Sequence, residues 1–336
     1  MIEAIRRRIP ATQSGPRPLR LGIGDDCAVL RPSPGHEICV TTDFSIEGMH
    51  FRRDWHPPES VGHRCLTRGL SDLAAMGAEP VAVFLSLAVP ARLPAGWLDR
   101  FLDGFLALAA QYHVALAGGD TAESPPVPRG SSLILADIVA VGQVRRNQAL
   151  LRSGARPGDR IYITGALGGS AAELQTLARD PGRFRRLTRA VAGHPQLYPE
   201  PRVVVGRALR KLARAMIDVS DGLSTDLAHL CRESHLDAVV DESALPIHAL
   251  AAATPDPLRL ALHGGEDYEL LFTASPRARI PGRIAGVPVR CIGIMQAHPG
   301  GQPRIVLKGN DGRHISLHPG GWQHFDILKA QVPQKI

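Results

Sequence analysis

The sequence of 336 residues has few lysines, and the positions of these lysines exclude two large classes of nucleotide-binding protein. Of its 39 basic residues only Lys211, Lys308, Lys329 and Lys335 are lysines, and none stands in the Gly-Lys-Ser/Thr setting of a P-loop. The His-Arg-Asp and Val-Ala-Ile-Lys signatures of protein kinases are also missing. If the protein uses a nucleotide, other groups must bind it.

Aromatic residues are scarce too, at 4% of the chain. The net charge of +7 attracts anions, but grooves for single-stranded nucleic acid usually hold the bases on aromatic rings. We therefore expect no nucleic-acid partner. With 44% apolar and 21% charged residues the composition is that of a folded protein, and the length predicts about two domains.

Paired cysteines and long apolar runs are likewise absent from the sequence. The five cysteines form no Cys-x-x-Cys pair, which favours free thiols over disulfides or structural zinc. The longest apolar run, Val81–Val89, is well short of the roughly 20 residues that a membrane span needs. We expect a cytoplasmic protein without a membrane partner.

The sequence does contain an alternation of strand and helix patterns. Short β-branched and aliphatic runs predict strands at Ile38–Ile46, Val81–Val89, Val114–Ala117, Leu133–Val144, Ile161–Thr164, Ala238–Asp241, Glu269–Ala274 and Arg290–Ile294. Apolar stripes predict helices at Glu59–Met76, Leu98–Ala109, Val203–Ala213 and Ser224–Cys231. The fold class is therefore mixed α/β and α+β, with a linker rich in Gly, Pro and charge at residues 145–158.

Aspartates recur at the ends of apolar runs. They are Asp25-Asp26, Asp43, Asp120 and Asp218 with Asp221, and Asp72 lies within an apolar helical stretch. Each one alone would indicate a turn or a helix cap. Carboxylates that converge must share protons or hold cations, and Mg²⁺ typically takes one or two carboxylates together with substrate phosphates. The repeated pattern favours a magnesium site.

Glycine pairs accompany these acids, among them Gly118-Gly119, Gly168-Gly169 and Gly264-Gly265. A pair of this kind indicates either a turn or backbone N–H groups that approach phosphate oxygens closely. Together with the acids, the pairs predict magnesium-dependent nucleotide chemistry.

Seven motifs resemble the thiamine-monophosphate kinase family, and they follow one another in the family's order from about residue 21 to Phe325. These segments are Leu21–Ala28, Glu47–Phe51 after Asp43, Ser71–Ala78, Gly118–Thr121, Arg152–Asp159, Asp218–Leu223 and Gly264–Leu270. Each motif is moderately specific, whereas seven in order are very specific.

The resemblance implies the two-domain fold of aminoimidazole ribonucleotide synthetase and its relatives. Residues 1–147 would bind ATP and magnesium and form a barrel with a second copy, and residues 148–336 would be an α+β domain that completes the site. The implied reaction transfers the γ-phosphoryl group of ATP directly to thiamine monophosphate, with several Mg²⁺ ions and no dedicated catalytic side chain.

The resemblance also implies three sets of site residues. The metal-binding set is Asp26, Thr41, Thr42, Asp43, Asp72, Asp120, Asp218 and Asp221. The ATP-binding set is Gly119, Asp120, Arg152 and Ser220, and the substrate-binding set is His50, Glu266 and Trp322. A carboxylate and an aromatic face suit the cationic thiazolium ring of thiamine.

Two positions depart from the family pattern: Phe44 stands where a polar residue such as Thr is common, and Gly69 where Asn is frequent. Without the resemblance, His50 and Trp322 would be interpreted as core residues and Arg152 as a solvated one. The alternatives are another ATP-dependent enzyme of the same superfamily, or a non-catalytic protein that binds thiamine phosphates or nucleotides. Residues 1–20 lack the Cys and Lys of selenophosphate synthetase, and the chain lacks the C-terminal Cys of the hydrogenase maturation factor.

Overall fold

A computed structural model of the protein describes residues 7–8, 18–23, 27–126 and 132–322. Its contacts divide the chain into two compact units: the first comprises the described residues up to Ala149 with Pro181–Arg207, and the second Leu150–Asp180 with those from Ala208 onward. The sequence predicts a single boundary, after residue 147. In the structure, residues 181–207 belong to the first unit although they follow that boundary. Among the described residues, no helix is long and apolar enough to cross a membrane.

Strands and helices alternate along the described chain. The strands are β1 Leu19–Leu21, β2 Val29–Leu30, β3 His36–Ile46, β4 Glu79–Val89, β5 Ala115–Glu123, β6 Leu135–Arg145, β7 Arg160–Thr164, β8 Ala215–Val219, β9 Leu236–Asp241, β10 Glu269–Ala274, β11 Arg283–Ile284, β12 Val287–Ala297, β13 Ile305–Lys308 and β14 His314–Ser316. The helices are α1 Pro58–Ala75, α2 Trp97–Gln111, α3 Gly169–Arg179, α4 Val203–Leu209, α5 Leu223–Ser234, α6 Ala249–Ala252 and α7 Pro257–His263, with a 3₁₀ turn at Glu242–Ala244.

The first unit is built on a sheet with the strand order β3-β6-β4-β5. β6 pairs antiparallel with β3 and β4, and β4 pairs parallel with β5. Helix α1 packs on β3 and β6, and α2 packs on α1. A Cβ at Gly62 would lie 1.9 Å from the carbonyl oxygen of Phe101, and one at Gly104 would lie 1.8 Å from that of Glu59. Glycine at these two positions therefore allows the backbones of α1 and α2 to touch.

Strand β3 has two different faces because its side chains alternate. Thr41, Asp43 and Ser45 lie on the covered side and are buried or half-buried. On the other side Val40 is 63% and Phe44 58% exposed. The first unit therefore has an apolar strand face that its own described residues leave open.

The second unit is a largely antiparallel sheet in the order β14-β13-β9-β12-β7-β10-β8, in which only β13 and β9 pair in parallel. Helix α5 packs against this sheet through Leu227 and Leu230, which are fully buried with Ile292. Strand β8 pairs with β10 so that Asp218 lies opposite Leu270. This pairing places the end of β8 beside the loop before β10.

The structure confirms most of the predicted elements and corrects several. The helices predicted at Glu59–Met76 and Leu98–Ala109 are α1 and α2, whereas α4 ends at Leu209 rather than Ala213. The strand predicted at Val114–Ala117 continues to Glu123, since its pairing with β4 extends through that residue. Asp120 therefore lies within a strand and not beyond its end, and Asp218 lies within β8. Asp43 lies within β3, as the predicted strand Ile38–Ile46 implied. The elements that were not predicted are β1, β2, β8, β11, β13, β14, α3, α6 and α7.

Candidate active site

Asp43 and Asp72 form a carboxylate pair between β3 and α1. The hydroxyl of Thr41, two residues before Asp43, donates a short hydrogen bond to Oδ2 of Asp72. The Nε atom of Arg68 lies 3.7 Å from Oδ1 of Asp43. Burial, and then the neighbouring charges of Asp72 and Asp137, raise the pKa of Asp43 to about 7, although Arg68 opposes this shift.

Thr42 points away from this pair. Because successive side chains of a strand alternate, the hydroxyl of Thr42 lies on the open face, where it donates a 2.9 Å hydrogen bond to Oδ1 of Asp137 in β6. Thr41 and Thr42 thus place their hydroxyl groups beside different carboxylates, of Asp72 and Asp137. Asp137, an acid within an apolar strand, was not predicted as a site residue.

The pair of Asp43 and Asp72 has the chemistry of a magnesium ligand set. Oδ2 of Asp43 is buried and receives no hydrogen bond from the described residues. Two carboxylates suit Mg²⁺, which takes its other ligands from water and substrate phosphates. Within the described ranges no three His, Cys, Asp or Glu side chains are grouped closely enough to hold one metal ion, and Asp26 lies outside these ranges. The described residues of the first unit therefore bring two acids together at this point, Asp43 and Asp72.

Asp120 lies elsewhere on the same sheet. It is exposed in β5, opposite Ser86 of β4, which in turn lies opposite Asp137 of β6. Neighbouring strands are about 4.8 Å apart, so Asp120 and Asp137 share one cross-strand row at about twice that spacing. The preceding Gly119 allows close strand contact, because a Cβ there would lie 1.9 Å from the carbonyl oxygen of Leu85.

In the second unit, the turn from Ser220 to Gly222 joins β8 to α5, and an internal acid occupies its backbone N–H groups. Oδ2 of Asp226 accepts hydrogen bonds of 3.1, 3.1 and 3.0 Å from the N–H groups of Ser220, Asp221 and Gly222. Burial, followed by the charges of Asp218 and Asp221, raises the pKa of Asp226 well above its ordinary value. The N–H of Ser220 is therefore committed within the protein.

The same turn assembles both substrate residues predicted in this unit. The carbonyl oxygen of Ser220 accepts a 2.8 Å hydrogen bond from the N–H of Glu266, and that of Asp221 accepts a 2.9 Å hydrogen bond from the N–H of Trp322. Glu266 is half-buried and Trp322 is 37% exposed. Residues far apart in sequence thus meet at one loop cluster, which we call the second-unit loop site: residues 220–222, 264–268 and 320–322.

The segment before Trp322 is fastened to the start of α5 by two hydroxyl groups. Oγ of Ser224 accepts a hydrogen bond from Gly320 N at 3.2 Å, and Oγ1 of Thr225 accepts one from Gly321 N at 3.2 Å. A Cβ at Gly321 would lie 2.0 Å from the carbonyl oxygen of Asp221, so the segment can approach this closely only with glycine there.

Gly168 and Gly169, predicted as a turn or as phosphate contacts, lie at the start of α3. Asp267 accepts hydrogen bonds there instead: its Oδ2 lies 2.6 Å from Gly168 N and its Oδ1 3.2 Å from Ser170 N. Burial raises the pKa of Asp267 to about 7, although these N–H groups act in the opposite direction. Another buried acid thus occupies backbone N–H groups that the sequence offered to phosphate.

Arg152 and His50 lie in different units. Arg152 is exposed at the start of the second unit, and its carbonyl oxygen accepts a 2.8 Å hydrogen bond from Ser234 Oγ. Burial lowers the pKa of His229, and so do the charges of Arg232 and Arg152. The charge of Asp221 raises that pKa, so Arg152 and Asp221 both lie close enough to influence one imidazole. In the first unit, Nδ1 of His50 accepts a 3.0 Å hydrogen bond from Ile46 N, which leaves the proton of the neutral ring on Nε2.

Sequence reasoning missed Asp137, Asp226 and Asp267 as members of these clusters. Asp226 carried a usable signal, since an acid four residues after Gly222, in the first turn of α5, is placed to accept N–H hydrogen bonds at that helix end. Asp267 carried no local signal, since its partners are about a hundred residues earlier.

The two units, each of which combines strands and helices, correspond to a known class of two-domain protein. Residues 24–144 match the family model "AIR synthase related protein, N-terminal domain", and residues 156–280 match the corresponding C-terminal domain. The predicted two-domain fold related to aminoimidazole ribonucleotide synthetase is thereby confirmed.

Three relatives narrow this class. The chain is 38% identical to a thiamine-monophosphate kinase of Escherichia coli K12 over 330 residues, or 96% of this chain and 97% of that protein. A crystal structure of a thiamine-monophosphate kinase from Stenotrophomonas maltophilia K279a has a TM-score of 0.75 at 35% identity and covers 94% of this chain and 95% of its own. A complex of AaThiL with AMPPCP and TMP has a TM-score of 0.74 at 28% identity and covers 88% and 89%. The chain belongs to the thiamine-monophosphate kinase family.

Proposed function

We propose that the protein phosphorylates thiamine monophosphate with ATP to give thiamine diphosphate and ADP, the last step in making that cofactor. The observation that carries this proposal is the second-unit loop site, where Glu266 and Trp322 are both hydrogen-bonded to the Ser220–Asp221 backbone. A carboxylate and an aromatic ring are both suited to a cationic thiazolium. Family membership, and a relative crystallised with AMPPCP and TMP, support the same reaction.

Magnesium ions would be held by the acids of the predicted metal-binding set. In the first unit the ligands would be Asp43 and Asp72, with Thr41, Thr42, Asp120 and Asp26 as further contributors. In the second unit they would be Asp218 and Asp221. Bound Mg²⁺ neutralises charge on phosphate oxygens and aligns them.

ATP would be bound by Gly119, Asp120, Arg152 and Ser220. Since the N–H of Ser220 donates to Asp226, its hydroxyl group is the part that would meet the nucleotide. Arg152 is exposed, and its guanidinium can form charge-assisted hydrogen bonds with a phosphate. Thiamine monophosphate would be bound by His50, Glu266 and Trp322, and Nε2–H of His50 is a donor suited to an anionic oxygen.

The reaction needs no covalent enzyme intermediate. The acceptor phosphate is already an anionic nucleophile, so the task of the side chains is to hold two anions in line and to offset their repulsion. Arg152 supplies positive charge for this purpose, and the Arg-rich surface attracts both substrates at long range. The carboxylates act by holding cations, so none of them has to transfer a proton to or from a substrate.

The protein would act as a homodimer in the cytoplasm. The exposed apolar side chains of Val40 and Phe44 lie on β3, at the edge of the first sheet. An open apolar edge of this kind favours pairing with a second copy, as in the barrel expected from the family. The free thiols of the sequence agree with a reducing compartment.

The test is an assay of purified protein with ATP, MgCl₂ and thiamine monophosphate, in which thiamine diphosphate and ADP are quantified by chromatography. We expect the two products in equal amounts. Hydrolysis of ATP without thiamine diphosphate would contradict the proposal. Thiamine itself serves as the control acceptor, since it lacks the attacking phosphate.

A further inference from the structure

Asp267 connects the second-unit loop site to a helix that begins about a hundred residues earlier. Its carboxylate binds the N–H groups of Gly168 and Ser170 at the start of α3, whose first turn has no acidic side chain of its own. With 9% of its surface exposed, Asp267 is itself buried beneath the loop. The carboxylate thus fastens residues 264–268 to α3 from within.

The residues on either side of Asp267 have unusual backbone conformations. Glu266 has φ of 63° and Tyr268 has φ of 51°, in the left-handed region that side chains other than glycine rarely adopt. Such conformations persist only where the surroundings impose them, and they cluster at functional sites. Here Glu266 N donates to the carbonyl oxygen of Ser220 at 2.8 Å, and Tyr268 N donates to that of Val219 at 2.9 Å.

This loop is therefore held by two backbone hydrogen bonds to residues 219 and 220 and by the carboxylate of Asp267, which binds α3. Capping a helix does not by itself require a carboxylate from a distant part of the chain, since a side chain next to the helix can accept the same hydrogen bonds. Asp256 caps α7 in that ordinary way, with Oδ1 accepting a 3.1 Å hydrogen bond from Arg259 N, and it is exposed. A distant buried acid between two left-handed residues restrains the loop itself.

We propose that Asp267 is a positioning residue for recognition of the phosphoryl acceptor: its attachment to α3 holds Glu266 in the left-handed conformation from which Glu266 binds the cationic ring. This inference rests on the proposed function, in which Glu266 contacts thiamine monophosphate. Asp267 itself is buried and acts through Glu266.

Asp267→Asn tests the inference, since asparagine keeps the volume of the side chain and removes a buried charge. Only one of its two terminal atoms can accept a hydrogen bond, so either Gly168 N or Ser170 N loses its partner. We expect the KM for thiamine monophosphate to rise about tenfold, the effect of losing one hydrogen bond to a charged group, with the KM for ATP within about twofold. The Glu266→Gln variant should likewise raise the KM for thiamine monophosphate and leave that for ATP nearly unchanged. In the double variant the KM for thiamine monophosphate should be no higher than in the single variants.

A readout independent of activity is hydrogen exchange at the amides of Glu266 and Tyr268, which should accelerate in Asp267→Asn. The matched control is Asp256→Asn, where asparagine retains an oxygen that can accept the hydrogen bond from Arg259 N. The ion pair that it loses, between Oδ2 and Nε of Arg259, is exposed and contributes little, so exchange and both KM values should remain at the wild-type level. Melting temperatures of all variants verify folding.

Unchanged exchange at Glu266 and Tyr268, or equal effects on the KM values for both substrates, would overturn the positioning role. Wild-type protein that neither binds nor phosphorylates thiamine monophosphate would instead refute the proposed function. The exchange measurement separates these two failures because it requires no substrate.

Discussion

The N–H of Trp322 donates a 2.9 Å hydrogen bond to the carbonyl oxygen of Asp221. This bond joins Trp322 to the turn that follows β8, and it places the residue beside Asp221, a proposed metal ligand. The hydroxyl groups of Ser224 and Thr225 hold the two preceding amides. In the proposed function, recognition of the acceptor and binding of the cation would thus be connected through one short turn.

Gly321→Ala is expected to weaken binding of the acceptor. The added Cβ would lie 2.0 Å from the carbonyl oxygen of Asp221, so the segment that carries Trp322 must move away. We expect the KM for thiamine monophosphate to rise by about tenfold or more, with steady-state kinetics as the measurement. Gly282→Ala is the control, since no described atom lies within 4 Å of a Cβ there. A normal KM in Gly321→Ala would show that the close contact is not needed.

Asp43→Asn and Asp72→Asn are each expected to abolish turnover while the fold is retained. Each change removes one carboxylate of the pair that would hold Mg²⁺ in the first unit, and asparagine is a weaker ligand for a hard cation. Turnover at saturating MgCl₂ and titration calorimetry with MgCl₂ alone are the measurements. Asp103→Asn, at an exposed position of α2, should leave both unchanged. Near-normal turnover in either variant of the pair would refute the assignment.

The stability of the protein should fall with rising pH through the titration of Asp267. The pKa of its carboxyl group is about 7 in the folded state against an ordinary value of 3.8, so the folded state binds the proton more tightly than the unfolded chain. This contribution is fully present below pH 3.8 and is lost as the pH rises through 7, at no more than about 1.4 kcal/mol per pH unit.

Urea unfolding of the wild type and Asp267→Asn between pH 4.5 and 8 measures this effect. The free energy of unfolding of the wild type, minus that of the variant, should decrease over this range. A difference that is independent of pH would contradict the raised pKa.

Gly104→Ala is expected to lower the free energy of unfolding by about 1–3 kcal/mol, the usual cost of overpacking. Helix propensity alone would make the alanine variant more stable than the wild type by about 1 kcal/mol. The expected change in the free energy of unfolding therefore has the opposite sign to the one that propensity predicts. The reason is the contact with the carbonyl oxygen of Glu59 on α1. Ala107→Gly, at an exposed position of the same helix, should lower the free energy of unfolding by about 1 kcal/mol, as helix propensity predicts. Chemical denaturation compares the two, and a more stable Gly104→Ala would refute the close packing.

The elements with strong periodicity were predictable from the sequence. Helix α2 carries Phe101, Leu102 and Phe105 on one apolar stripe, and these side chains are buried as expected. Helix α3 has a weaker signal because it begins with glycine and its N-terminal acid comes from Asp267 in another part of the chain. The extension of β5 beyond Ala117 depends on its pairing with β4, which local residue preferences do not contain.

The sequence by itself determined the family, the reaction class and most regular elements, since these depend on the order of motifs and on local periodicity. Only the tertiary structure decided which backbone N–H groups remain for substrates. Asp267 binds the N–H of Gly168, which the sequence offered to phosphate, and Asp226 binds the N–H of Ser220, a predicted ATP-binding residue. A buried donor must find a partner, and the partner is whichever carboxylate the fold brings within hydrogen-bond distance, however far away it lies along the chain.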